Sequence, residues 1–201
     1  VQIATNDRGA AAVLDLVRQM GFAAVQGAIE DILDYTRRRL RNRVRELKPG
    51  SYSYTTHLDD DGSGATGPVP VKVTVNVAGE DLHFDFAGSG PQARGAVNLT
   101  ISALEAVVYY AVKALLDPEL MPNSGLMESI RVSAPSGTIV NAEPGAAVGA
   151  RASSCQRVAG AIFGAFHDLL PPERRIAQHN NACPALTFSG PRPSGNGRYV
   201  Y

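Results

Sequence analysis

The chain has 201 residues with 19 basic and 19 acidic side chains, a formal net charge of zero, 44% hydrophobic residues and no tryptophan. That composition suits one soluble domain, or two small ones, with a sizeable core, and it offers no electrostatic footprint for nucleic acid. Cys155 and Cys183 share no CxxC spacing, no apolar run reaches the ~18 residues of a membrane span, and the N-terminus lacks a basic-then-apolar signal pattern, which argues against a zinc site, a disulfide framework and a transmembrane or secretory segment. A reducing cytosol, hence a cytoplasmic location, is the default.

Asn6 or Asp7 is placed to cap a helix from near Gly9 that carries Val13, Leu14, Leu16, Val17 and Met20 up to Gly21. A long amphipathic helix follows: Phe22, Val25, Ile29, Ile32, Leu33, Leu40, Val44 and Leu47 recur at steps of three and four until "KPG" at 48–50. The basic run "RRRLRNRVR" at 37–45 is broken by Leu40 and Val44 at helical spacing and reads as a solvated helix face. From Ser51 the period becomes two, in Tyr52, Tyr54, Thr56 and Leu58, and again in Val69 to Val77, as antiparallel strands require. "DDDGSGATGP" between them reads as a hairpin turn, because a calcium-loop register would leave His57 first and Pro68 last. After "AGED" a third strand turns Leu82, Phe84 and Phe86 one way and His83 and Asp85 the other, toward water.

A Gly-Ser-Gly turn leads into "ISALEAVVYYAVKALL", apolar nearly all round and so expected to lie buried between layers. "DPELMPNSG" ends it; short strands "ESIRVSA" and "TIV" flank the turn "PSG", and "NAEPGAAVGA" is a loop or edge segment. Ser153 or Ser154 caps a last helix carrying Val158, Ile162, Phe163, Phe166 and Leu170 to the prolines at 171. His167 sits in that helix as a structural group, His179 in an accessible loop, and "GRYVY" reads as a strand starting. The expected fold is α+β: an antiparallel sheet with packed helices, one long N-terminal amphipathic helix and one buried helix, with 1–50 helical and 51–201 mixed. Opening on "VQIATND" and stopping within "GRYVY", the chain reads as a piece of a longer polypeptide.

Two polar clusters stand out. The first follows the third strand: Asp85, Ser89, Gln92, Arg94 and Asn98 combine a carboxylate, a turn rich in exposed N–H groups, amides and a guanidinium, which suits an anionic or carbonyl-bearing ligand. It has neither a P-loop lysine nor a dinucleotide fingerprint, and the alternative is a plain strand-to-helix turn with Asn98 and Thr100 capping the helix. The second is "RASSCQRV", where Arg151, Gln156 and Arg157 crowd a helix start; cations oppose the dipole there and point to an anionic partner, either a ligand or an internal acid such as Glu128 or Glu143. Cys155 reads as a small packing residue. No GxSxG elbow and no local metal motif is present.

The order of motifs resembles the hydantoinase B/oxoprolinase family. "FDFAGSGPQARGAVNLT" is similar to its strand, turn and helix-entry signature, "MPNSG" to its Asn-x-Gly element, "APSGTIVNAEPGAAVGAR" to its proline and glycine block and "SSCQRV" to its Ser/Thr-Gln-Arg helix start. Ala87, Gly90, Glu128 and Cys155 depart from the commoner residues. Members of the family run to several hundred residues, so the resemblance implies the middle portion of a B-type subunit. It implies ATP-dependent opening of a cyclic amide such as a hydantoin or 5-oxoproline, or ATP-dependent carboxylation of a ketone. It also implies an A-type ATP-binding partner subunit or domain, hence a hetero-oligomer, with ATP and a divalent metal in the complete complex and neither cofactor held by this segment. On that resemblance Asp85, Arg94 and Arg157 are the catalytic candidates, and Ser89, Gln92, Asn98, Asn123, Arg151 and Gln156 the substrate-binding ones, lining one shared pocket. The rival reading is a docking module for the A-type partner.

Overall fold

A computed structural model describes residues 1–64, 67–177 and 189–192, and the backbone of 198–200; His179 and Cys183 lie outside the described residues. The alternation of valines in β2 (Val69–Ala78) turns Val71, Val73, Val75 and Val77 into one apolar face, and all four are buried. β1 (Gly50–Leu58) pairs antiparallel with β2 from Gly50↔Val77 to Leu58↔Val69, so the Asp- and Gly-rich segment between them is the hairpin connection. β3 (Asp81–Asp85) adds antiparallel on the far side of β2.

β4 (Ile130–Ser133) completes the order β1-β2-β3-β4, but it runs parallel to β3, from Leu82↔Ile130 to Asp85↔Ser133. The expected antiparallel sheet is corrected at this edge: a crossover carrying α3 (Ile101–Leu116) and α4 (Ser124–Met127) lies between the two strands and returns the chain in the same direction. "TIV" is no strand; Thr138 makes only isolated bridges, to Pro91 and to Asn141. The chain-end strand is present, with β5 (Ser189–Pro191) pairing antiparallel with β6 (Arg198–Val200).

One sheet face is covered by α5 (Arg151–Ala165), with α3 packed beside it. Phe84 stacks on Phe166 with ring centroids 6.3 Å apart, so the sheet, α5 and the turn after it share one core. Gly164 lets α5 approach the sheet, since a Cβ there would stand 2.5 Å from the Tyr54 ring. The apolar helix α3 buries Leu104, Val108, Ala111, Val112, Leu115 and Leu116 on one side only, and Tyr110 on the other is 60% exposed. All-round burial is therefore not reached, because the helix is covered by the sheet and α5 from one side.

Two helix starts differ from expectation. α1 (Gln2–Met20) begins before Asn6 and Asp7, and α5 begins at Arg151 with Ala150 as its cap. Ser154 instead is buried inside α5 and donates its hydroxyl to the Val97 carbonyl, a tertiary use that displaced the capping role. α1 ends at Gly21, whose φ of 84° breaks the rod before α2 (Phe22–Arg45).

The basic run of α2 does more than face water. Leu40 and Val44 are wholly buried, while Arg37 pairs with Glu128, Arg45 with Glu80, Arg41 with Ser129 and Arg39 with both oxygens of Asp117. These pairs strap α2 to the ends of α3 and the sheet. The Arg39 hydrogen bonds, aided by the Arg39 and Arg43 charges, hold the Asp117 carboxyl below the usual carboxylate range although burial opposes them. A depressed folded value stabilises the fold above the unfolded pKa of about 3.9 and is lost as pH falls through the lower, folded value. Asp117→Asn is thus expected to cost about 1–3 kcal/mol near neutral pH and to flatten the loss of stability below about pH 4. Thermal unfolding of both proteins across that range checks this; parallel curves would assign the acid sensitivity elsewhere.

Candidate functional site

After β3 the chain leaves the sheet, and its polar side chains replace the ladder bonds it gives up. Ser89 accepts from Lys72 N and donates to Lys72 O, closing the turn onto β2. Gln92 donates its backbone N–H to Gly137 O and accepts the Glu143 N–H on Oε1. Asn98 is fully buried: its amide nitrogen donates to the carbonyls of Ala93, Gly95 and Ala147 and its oxygen accepts from Ala93 N. Thr100 caps α3 by accepting from Ala103 N at 3.3 Å. Capping thus falls to Thr100, and Asn98 organises the loop.

The two polar segments do meet through their backbones. Ala150 N donates to Ala96 O, Ser154 reaches Val97 O and Asn98 spans to Ala147. Both also touch the connection after β1: Arg157 lies 3.9 Å from Asp59, and Asp61 accepts from Ser63 N and Oγ. Those Ser63 bonds, with smaller help from the Arg94 and Gly95 N–H groups, hold the Asp61 carboxyl below its usual range against the effect of burial.

The side chains then divide between separate hollows. One of about 290 Å³ is lined by Asp61, Pro70, Pro91, Gln92 and Arg94. Another of about 560 Å³ runs between α3 and α5, with Val107, Tyr110 and Ala159 as apolar walls and Arg151, Cys155 and Gln156 along it. Arg94 is exposed and its guanidinium has no partner among the described residues, while Arg151 makes one long contact, 3.4 Å, to Val148 O. The acids that could have neutralised Arg151 are engaged elsewhere, Glu128 with Arg37 and Glu143 with Ser136. Burial pushes the Cys155 thiol up, more than the nearby Arg151 charge lowers it, in keeping with a packing role.

Two candidates stand apart from these hollows. Asn123 accepts from Gly125 N at the start of α4 and donates to Thr36 Oγ1 of α2. Asp85 sits on the open sheet face, accepting from Ala87 N at 3.0 Å and from Ser133 Oγ at 3.3 Å. Ser133 also lies 2.8 Å from His83 Nε2, a contact that sequence reading missed; the outward alternation of Arg131 and Ser133 in "ESIRVSA" was its only local signal. Among the described residues no group of three or more His, Cys, Asp or Glu side chains is placed to hold a metal ion. No helix among them is long and apolar enough to cross a membrane.

A family model described as hydantoinase B/oxoprolinase matches residues 1–201. The B-type subunit of a putative D-/L-hydantoinase from Pseudomonas sp. (strain NS671) is 29% identical over 210 residues, covering 100% of this chain and 35% of that protein. 5-oxoprolinase 1 of Arabidopsis thaliana is 26% identical, over 82% of this chain and 14% of its own length. The chain therefore spans about a third or less of these relatives. In fold it is similar to an ATP-dependent caprolactamase from Pseudomonas jessenii, with TM-score 0.75, 22% identity and 96% of this chain covering 33% of that one. It is also similar to a nucleotide-free acetone carboxylase, with TM-score 0.69, 16% identity and 78% of this chain covering 22% of that one.

Proposed function

Since the chain belongs to the hydantoinase B/oxoprolinase family, we propose that it forms the middle portion of a B-type subunit that opens a cyclic amide, a hydantoin or 5-oxoproline, at the expense of ATP bound by an A-type partner. The observation that carries this reading is the family match along the whole chain. The cyclic-amide branch is favoured over the ketone-carboxylating one because the relatives matched in sequence are named for hydantoin and 5-oxoproline.

On this reading ATP and a divalent metal belong to the complete hetero-oligomer. The described residues present no cluster that fits a metal, so no step here runs through one. In ring opening, water adds to the carbonyl carbon, the C–N bond breaks, the nitrogen takes one proton of the water, and the other is released as the new acid ionises to a carboxylate. Arg94, a planar cation without a partner among the described residues at the rim of the hollow it shares with Gln92, orients that carboxylate or a phosphoryl group. Arg157, beside Asp59, meets the connection after β1 that also supplies Asp61 to that hollow, and Arg151 with Gln156 flanks an apolar groove suited to a ring substituent. Asp85, on the open sheet face apart from both hollows, takes no part in this step.

The test is an assay of the full-length protein together with its A-type partner, following ATP-dependent opening of hydantoin and 5-oxoproline beside carboxylation of acetone. Arg94→Ala is expected to lower kcat/KM about tenfold or more with unchanged thermal unfolding, as loss of a charge-assisted contact implies. Turnover equal to wild type would remove Arg94 from the site. Carboxylation without ring opening would transfer the assignment to the ketone branch, and neither activity would leave the docking role.

A further inference from the structure

The open face of the sheet carries a polar assembly that the hollows above do not use. Strand registers place His83 between Asn76 on β2 and Arg131 on β4, and place Asp85 between Thr74 and Ser133. Partners in register share a face, so two rows of polar side chains look outward side by side. Three of these groups form a chain: Ser133 Oγ lies 2.8 Å from His83 Nε2 and donates to Asp85 Oδ1 at 3.3 Å.

A hydroxyl has a single hydrogen, and an ionised carboxylate only accepts. When Ser133 gives its hydrogen to Asp85, it can only accept from the imidazole. With that assignment a neutral His83 is the Nε2–H tautomer and its Nδ1 is an acceptor. Asp85 is itself held by the Ala87 N–H, so the relay is anchored to backbone at the strand end.

His83 lines a hollow of about 470 Å³ together with Asn76, Asp81, Glu128 and Arg131. Glu128 is engaged by Arg37, whereas the Arg131 guanidinium has no partner among the described residues. Adjacent strands thus offer an acceptor and a planar donor about 4.8 Å apart at the backbone. A cyclic amide is held cis, with its N–H and C=O on one edge, and that edge matches such a pair.

We propose that this hollow binds the cis-amide edge of a neutral cyclic amide, the ring N–H donating to His83 Nδ1 and the ring carbonyl accepting from Arg131. Ser133 and Asp85 are positioning residues that set the tautomer. The inference rests on the cyclic-amide reading above and adds a subsite for the uncharged ring. The Arg94 hollow meets β2 at Pro70 instead of Asn76, about 20 Å along the strand, so the two hold different molecules: the intact ring docks here, and the ring-opening step with its anionic products belongs to the Arg94 hollow.

The experiment uses the protein with isotopically labelled histidine, the His83 signals being those lost in His83→Phe. Nitrogen-to-carbon-proton spectra at about pH 8 are expected to show Nε2 protonated and Nδ1 bare, with mixed tautomers in Ser133→Ala. Adding pyrrolidinone is expected to shift the Nδ1 resonance saturably, and N-methylpyrrolidinone, which lacks the N–H, is expected not to. His83→Phe and Arg131→Met should each weaken binding about tenfold, read from amide shifts in β3 and β4. An Nδ1–H tautomer, equal responses to both lactams, or unaltered binding in Arg131→Met overturns the proposal. Ring opening by the wild-type complex despite such a result would leave the functional reading standing. Selective lactam binding without any turnover would do the reverse.

Discussion

Asn98→Ala is expected to destabilise the protein by about 3–5 kcal/mol, among the largest effects of any single substitution outside the apolar core. The wild-type amide is fully buried and makes four hydrogen bonds, to Ala93 N, Ala93 O, Gly95 O and Ala147 O. Alanine removes all four and leaves the backbone groups in a space too enclosed for ready hydration, so each loses a partner without gaining water. Asn98→Asp separates the contributions: its carboxylate still accepts from Ala93 N but presents a charge to three carbonyl oxygens, and it should destabilise at least as much. Urea unfolding followed by circular dichroism reads both, and a shift under about 1 kcal/mol for the alanine variant would show that the loop is held by other means.

Gly95→Ala is the second large effect, at about 3 kcal/mol or more, and its cause is spatial. A Cβ at Gly95 would lie 1.6 Å from the Asp61 carbonyl oxygen, so the loop after β3 and the connection after β1 must separate. That separation would break the Asp61 contacts to the Arg94 and Gly95 N–H groups and widen the hollow lined by Asp61, Gln92 and Arg94. Gly149→Ala is the matched control, because the nearest atom to its new Cβ is Ala96 Cβ at 4.0 Å; it should stay within about 1 kcal/mol of wild type. Equal behaviour of the two variants would mean that the close approach at Gly95 is not a determinant of the fold.

These two residues also explain how the candidate site departs from the shared pocket expected of it. Residue types after β3 matched those of a binding site, and Arg94 keeps that potential because its guanidinium has no partner among the described residues. Ser89 and Asn98 carry equally suitable groups, yet both spend them on backbone atoms of their own fold. A side-chain amide that recognises a substrate and one that replaces a missing β-ladder are chemically the same. Only the distance to the nearest unsatisfied carbonyl separates them.

The amino-acid order alone determined the elements whose burial has a period: the valine alternation of β2, the three-and-four spacing that buries Leu40 and Val44 of α2, and the run of motifs that marks the family. Periodicity is local, so it survives being read one residue at a time. The tertiary structure alone decided that β4 returns parallel to β3, that Ser154 serves a carbonyl instead of a cap, and that His83 and Ser133, 50 residues apart, touch. Each of those outcomes depends on where a distant segment docks. Docking is set by the summed packing of whole faces, which leaves no imprint at the individual polar positions it brings together.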